Sequence, residues 1–339
     1  MIGARSLLAA LVSSTPIDTT LANKVPGLPA LPWDVQLSAA IRQRIEEYGD
    51  ALGFSALERA AAALSDAYRD GRPSRLGADE RTAAYLVTRM PATYAAAHAA
   101  LREVADRVGL IGTILDVGAG TGAASLAAGD HFPEAAITLL ERDASFAAAA
   151  RGFLPDATLI ANDIGHIGQL PPHDLVIAAY SLGEFGAEAT ARLWQAARVA
   201  LAIIEPGTPR GFTLIRKVRA DLLGAGARMI APCPMETACP IADPDWCHFA
   251  ARVERSSLHR RVKGGELGYE DEKFSYVALA RQPVELPAAR IIRHPQHHPG
   301  LIEIATCTPE GLRRERIFKR DRDRFRAARK AAWGDAGVS

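Results

Sequence analysis

At Ile111 the hydrophobic period changes from helical to extended, and the change runs straight into "LDVGAGTG". A short apolar run, glycines at alternate positions 118, 120 and 122, and then small residues predict a buried strand, a tight turn and a helix. Glycine there lets the backbone turn sharply and approach a ligand with no Cβ in the way. "AAITLLERD", "ATLIANDI", "HDLVIAAYSLGEF" and "LAIIEPGTPRGF" read as further strands, with the helix "EATARLWQAARVA" before the last. Strands alternating with helices of this length predict a parallel, doubly wound α/β sheet.

The residues before this core read differently. Residues 23–33, "NKVPGLPALPW", are proline-punctuated and expected to be extended. "SALERAAAALSDAYRDG" opens with Ser55 and Glu58 in capping-box spacing, and residues 79–109 read as two helices divided at Met90-Pro91. The opening "MIGARSLLAALVSSTP" has an apolar core too short for a secretory signal and no small-x-small site after it. It is expected to be an ordinary extension. No apolar run approaches the roughly 18 residues that span a bilayer, so a cytoplasmic location with no membrane partner is expected. Past residue 231, "KFSYVALAR", "ARIIRHP", "LIEIATC" and "RRERIFKR" read as strands. The expected organisation is a helical region over 1–108, a Rossmann core over 109–230, and a third portion over 231–339. That last portion holds a cysteine-rich insertion, the last core strand and a small, β-rich, basic carboxy-terminal part.

Asp116 precedes the glycine turn, which suits a ligand with a cationic amino acid portion better than a dinucleotide pyrophosphate. Glu141 ends the second strand, where a carboxylate can take both ribose hydroxyls. Asn162 and Asp163 end the third, where they can reach an adenine amino group. With Gly118, Gly120, Thr121 and Gly122, these residues resemble motifs one to three of class I S-adenosylmethionine methyltransferases. The fourth-strand loop, "AAYSLGEF", has neither the Asn/Asp-Pro-Pro-aromatic pattern of exocyclic-nitrogen methylation nor a cysteine nucleophile. Glu184 or Tyr180 could move a proton there, but no catalytic residue is assigned.

Cys233, Cys239 and Cys247 have the spacing C-x5-C-x7-C, and Cys307 lies far downstream. In an expected cytosolic protein, clustered cysteines hold metal more often than disulfides. Zinc knuckles usually present C-x2-C pairs, and there are none. The wide spacing and the Cys-Pro pairs fit an iron–sulfur cluster better, with zinc and unrelated free thiols as the competing readings.

"RMPATYAA", "LDVGAGTG", "IEPGTPRGF", "APCP…ACP…DWCHF" and "YEDEKFSYVAL" together resemble a family of ribosome-associated methyltransferase-like proteins. Its mitochondrial members include the yeast small-subunit protein Rsm-twenty-two and the animal methyltransferase-like protein seventeen, and this chain reads as a bacterial member. The resemblance runs from about Leu31 to Arg320. It implies a [4Fe–4S] cluster on Cys233, Cys239, Cys247 and Cys307, and a role in assembling the small ribosomal subunit with binding to its RNA and proteins. An active S-adenosylmethionine-dependent rRNA methyltransferase is the alternative, and the chain is expected to be a monomer apart from the ribosome.

Charge locates the expected RNA contact. Residues 310–330 carry ten Lys/Arg against four Asp/Glu, a net +6 on a chain whose total is +1. Such segregation suggests a polyanionic partner, with a salt-bridged solvated helix as the bland alternative. The candidates are Arg313, Arg314, Arg316, Lys319, Arg320, Arg322, Arg324 and Arg326, supplemented by the basic stretch "RVERSSLHRRVKG". Trp246 and His248 are expected to pack around the cysteines. "GTPRGF" is expected to shape the cofactor pocket or the RNA face. His294, His297 and His298 are expected in a polar hairpin loop rather than on a metal.

Overall fold

The structure is a computed structural model that describes residues 35–70, 72–186 and 189–338. The signal-like opening and the proline-punctuated segment therefore lie outside the described residues.

Four helices come first: α1 (Ala39–Leu52), α2 (Phe54–Asp70), α3 (Ala78–Thr88) and α4 (Met90–Ala105). α1 starts where the Ser38 hydroxyl accepts the Ile41 amide at 3.3 Å. α2 follows directly after Gly53, so Ser55 lies inside the helix and does not cap it. The break at Met90-Pro91 is as expected, with Pro91 in the first turn of α4, where its missing N–H costs nothing. α4 is alanine-rich and nearly all buried, so it lies close against the sheet.

The core then alternates β1 (Thr113–Val117), α5 (Ala123–His131), β2 (Ala136–Leu140), α6 (Ala144–Phe153), β3 (Thr158–Ile160), β4 (His173–Ala179), α7 (Leu182–Phe185), α8 (Ala189–Ala196), β5 (Ala197–Pro206), α9 (Pro209–Gly224) and β6 (Arg228–Ala231). β5 takes in Ala197–Ala200, which the helical pattern had claimed. β7 (Phe249–Glu254), α10 (Ser257–Lys263) and β8 (Tyr269–Ala280) follow. The sheet has eight strands, in the order β3-β2-β1-β4-β5-β8-β6, with β7 also pairing β8. The first five are parallel, and β8 enters antiparallel between β5 and β6. Along each central strand alternate residues serve opposite cores. Ile114, Leu175 and Ile177 face α4 and α5, whereas Leu115, Val176 and Ile203 face α8 and α9. Burial on both faces explains why these strands read as continuous apolar runs.

β6 and β7 occupy one edge of β8 in line, opposite residues 278–280 and 269–274. The cysteine segment is the excursion the chain makes between them. A second sheet of β9 (Arg290–Ile291), β10 (Gln296–His298), β11 (Leu301–Thr308) and β12 (Gly311–Phe318) carries α11 (Arg322–Ala328) on its apolar face, over Ile291, Ile302, Ile304 and Ile317. His297 and His298 stand in a hairpin strand, exposed, rather than in a loop. The basic stretch is likewise an edge strand followed by a short helix.

Candidate cofactor pocket and cysteine cavity

A cavity of ≈ 290 Å³ opens at the carboxyl ends of β1, β2 and β4. This is the point where the strand order reverses, the usual ligand position in open α/β sheets. Asp116, Gly118, Gly120, Glu141, Asn162 and Asp163 all line it. Thr121 and Gly122 stand outside the lining; Gly122, at φ 83°, starts α5 and touches the Leu154 side of the helix layer.

Asp116 is 1% exposed. Its Oδ2 accepts the Ser125 hydroxyl at 2.7 Å, while its Oδ1 has no partner among the described residues. Burial pushes its carboxyl up to about 6, against the opposing Ser125 hydrogen bond. Glu141 is anchored by backbone amides on both oxygens, Gly120 N to Oε2 and Asp143 N to Oε1, each at 2.7 Å. Burial raises its pKa as well. Asp163 is held below the usual range by the Gly165 amide and by Arg142. Arg142 bridges Asp163 at 2.9 Å and Glu184 at 3.3 Å across the mouth.

The helical region supplies a wall that the motif reading missed: Tyr68 and Arg72 of α2 and its exit, and Arg81 and Tyr85 of α3. Only a fold that brings these helices over the strand ends makes them pocket residues, and no local signal marks them. From the fourth-strand loop come Tyr180, Ser181, Glu184 and Phe185. Tyr180 holds a left-handed φ of 57°, rare for a side chain of this size. Its hydroxyl donates to Glu272 at 2.9 Å, and burial first, then that carboxylate, keep the phenol protonated. In this arrangement the hydroxyl is a donor.

All four cysteines line one second cavity, beside Phe212, Arg219 and Arg290. Cys307 is buried on β11 and the other three are half-buried on the loop. Burial raises Cys233, Cys247 and Cys307, Cys307 to about 12. Neighbouring cysteines add to each shift, so the thiols sit within electrostatic reach of one another. They do not close on a single-ion site: among the described residues, no group of three or more His, Cys, Asp or Glu is arranged to hold a metal ion. The stretch "GTPRGF" serves this cavity rather than the cofactor pocket. Thr208 caps α9 and Phe212 packs with Met235, Ile241 and Cys307.

Trp246 stacks on His248 at 5.3 Å, and His248 and His294 both meet the Trp333 ring edge-on at 4.8 and 4.7 Å. The expected packing of Trp246 and His248 is thus an aromatic layer beside Cys247, closed by a tryptophan from the end of the chain.

The eight basic candidates are all exposed, on β12, α11 and the turn between them. Arg313, Arg316, Arg324 and Arg326 pair with Glu310, Glu303, Glu315 and Asp323. Among the described residues, Arg314, Lys319, Arg320 and Arg322 have no carboxylate partner, although Arg320 lies over the Phe318 ring at 5.0 Å. The further stretch "RVERSSLHRRVKG" forms β7 and α10, where Arg252, Arg255 and Lys263 are spent on Asp271 and Glu270.

A mostly parallel sheet with one antiparallel strand inserted near its edge, and a glycine-turn pocket at its switch point, defines a Rossmann-like methyltransferase fold. The family model described as mitochondrial small ribosomal subunit Rsm22 matches residues 79–337, and the chain belongs to that family. No curated protein matches the chain. Among solved structures, it is similar to the plantazolicin methyltransferase BpumL in complex with a desmethylPZN analog and SAH, at 11% identity and a TM-score of 0.40, over 70% of this chain and 98% of that one. It is also similar to a precorrin-6y C5,15-methyltransferase from Geobacter metallireducens GS-15, at 18% identity and a TM-score of 0.36, over 54% and 86%. A third is the magnesium protoporphyrin IX methyltransferase ChlM from Synechocystis PCC 6803 with bound SAM, at 14% identity and a TM-score of 0.35, over 73% and 100%.

Proposed function

We propose that this chain is a small-ribosomal-subunit assembly factor that holds a [4Fe–4S] cluster on Cys233, Cys239, Cys247 and Cys307 and binds S-adenosylmethionine in the switch-point pocket. The observation that carries the reading is the convergence of four cysteines, from a loop and a distant strand, on one cavity in a member of this family.

The switch-point pocket fits the cofactor chemically. The unpartnered Asp116 Oδ1 would take a cationic amino group, and Glu141 would take ribose hydroxyls. Asn162 and Asp163 would stand at the adenine end. The bound cofactor would supply an electrophilic methyl group. In the fourth-strand loop the Tyr180 hydroxyl is already given to Glu272 and Glu184 is paired with Arg142, which supports assembly factor over methyltransferase. The exposed basic face of β12 and α11 is the proposed contact with small-subunit RNA.

Anaerobic purification tests the reading. The protein should be brown and contain about four iron and as many sulfide per chain. Stoichiometric zinc with no sulfide overturns it.

A further inference from the structure

Arg219, on α9, is 5% exposed and lines the cysteine cavity. Its terminal nitrogen donates to the carbonyls of Met235 at 2.9 Å and Thr237 at 2.7 Å. Its Nε–H has no partner, and no carboxylate pairs with it among the described residues. The other two arginines in the lining are matched: Arg290 by Glu103 at 2.6 Å and Arg216 by Asp243 at 3.5 Å. The lining itself contains no Asp or Glu. A cation withdrawn from water without a counter-charge is strongly disfavoured. A buried, unmatched guanidinium with an unused donor, set among four thiols, therefore calls for an anion in that cavity.

The geometry points to Arg219 as the counter-ion and sulfur-directed hydrogen-bond donor of the anionic group held by the four cysteines. This rests on the cluster reading above and goes beyond it in assigning a positioning residue. A [4Fe–4S] core with four thiolates is net negative and gains a further negative charge on one-electron reduction. A buried cation beside it stabilises the reduced form more, and N–H···S bonds act in the same direction. The same side chain ties down the backbone at Met235 and Thr237, between Cys233 and Cys239. Arg219 thus shapes the loop and supplies charge to what the loop holds.

Wild type, Arg219→Gln and Arg219→Lys, purified anaerobically, test this. The readouts are iron and sulfide content, the rate of iron release to a chelator, and a redox titration with dithionite as electron donor. Arg219→Gln should release iron roughly 10–100-fold faster and show a more negative midpoint potential. Arg219→Lys should keep the midpoint near that of wild type. Wild-type potential and release rate in Arg219→Gln overturn the assignment. So does equal loss of the cluster from both variants with native circular dichroism, because the side chain then acts through the loop and not through charge. Wild type without iron and sulfide overturns the cluster reading itself.

Discussion

Arg290 stands opposite Cys307 in the pairing of β9 with β11, and its guanidinium closes on Glu103 of α4 at 2.6 Å. Its Nε donates to the Pro232 carbonyl at 2.9 Å, one residue before Cys233, and a terminal nitrogen reaches the Gly334 carbonyl at 2.6 Å. One buried side chain joins the helical region, the cysteine loop, the second sheet and the end of the chain.

Glu103→Ala should therefore cost about 3–5 kcal/mol, because it strands a buried guanidinium. Burial pushes the Glu103 carboxyl up, but Arg290 and then Arg107 more than offset this and hold it below its ordinary value. Its folded pKa lies below its unfolded one, so its contribution is complete above the unfolded value and is lost as pH falls through the folded one. Urea denaturation at neutral and acid pH checks this. The gap between wild type and variant should narrow in acid, and a neutral-pH loss under about 1 kcal/mol contradicts the account.

Asp116 should make cofactor affinity pH-dependent. With its carboxyl at about 6 in the free protein, S-adenosylmethionine binding should strengthen as pH rises through that value and level off above it. Asp116→Asn should flatten the profile. Without ligand the sign reverses: the folded pKa exceeds the unfolded one, so ionising Asp116 costs stability as pH rises from about 4 through 6. The Asn variant should then melt higher than wild type at pH 7.5. Calorimetry from pH 5 to 8, with thermal melts, reads both.

Serine at any one of Cys233, Cys239, Cys247 or Cys307 should abolish the cluster and lower the melting temperature of the anaerobic protein to that of wild type stripped by chelator, since ligand binding is coupled to folding. Iron analysis and scanning calorimetry together decide it. A serine variant that keeps its iron removes that residue from the ligand set.

RNA binding should depend unequally on the basic candidates. Arg314, Lys319, Arg320 and Arg322 should each contribute to the salt slope, by roughly 0.7–0.9 per phosphate contact. Arg313, Arg316, Arg324 and Arg326 already neutralise carboxylates and should contribute less. Filter binding to small-subunit RNA across a salt series separates the two sets. Equal slopes for both would mean that the local ion pairs open on binding.

Much of this molecule is legible in one dimension. Binary patterning sets the period of each strand and helix, and glycine at 118, 120 and 122 sets the turn, because these are properties of neighbouring residues. The break at Met90-Pro91 and the acids closing the second and third strands follow from equally local rules. Local rules failed where tertiary contact outbid them. Ala197–Ala200 pair as strand residues because β4 offers a partner edge, and Ser55 gives up its capping role because α2 starts at Phe54. Sequence also marked the cysteines, but not what surrounds them. Arg219, Arg290 and Glu103 come from α9, β9 and α4, and Tyr68 and Tyr85 reach the pocket from helices far upstream of the glycine turn. Only folding brings such distant side chains together. Charge pairing across those distances, which fixes the free basic residues and the unmatched cation, depends on strand register and helix packing that no run of neighbouring residues encodes.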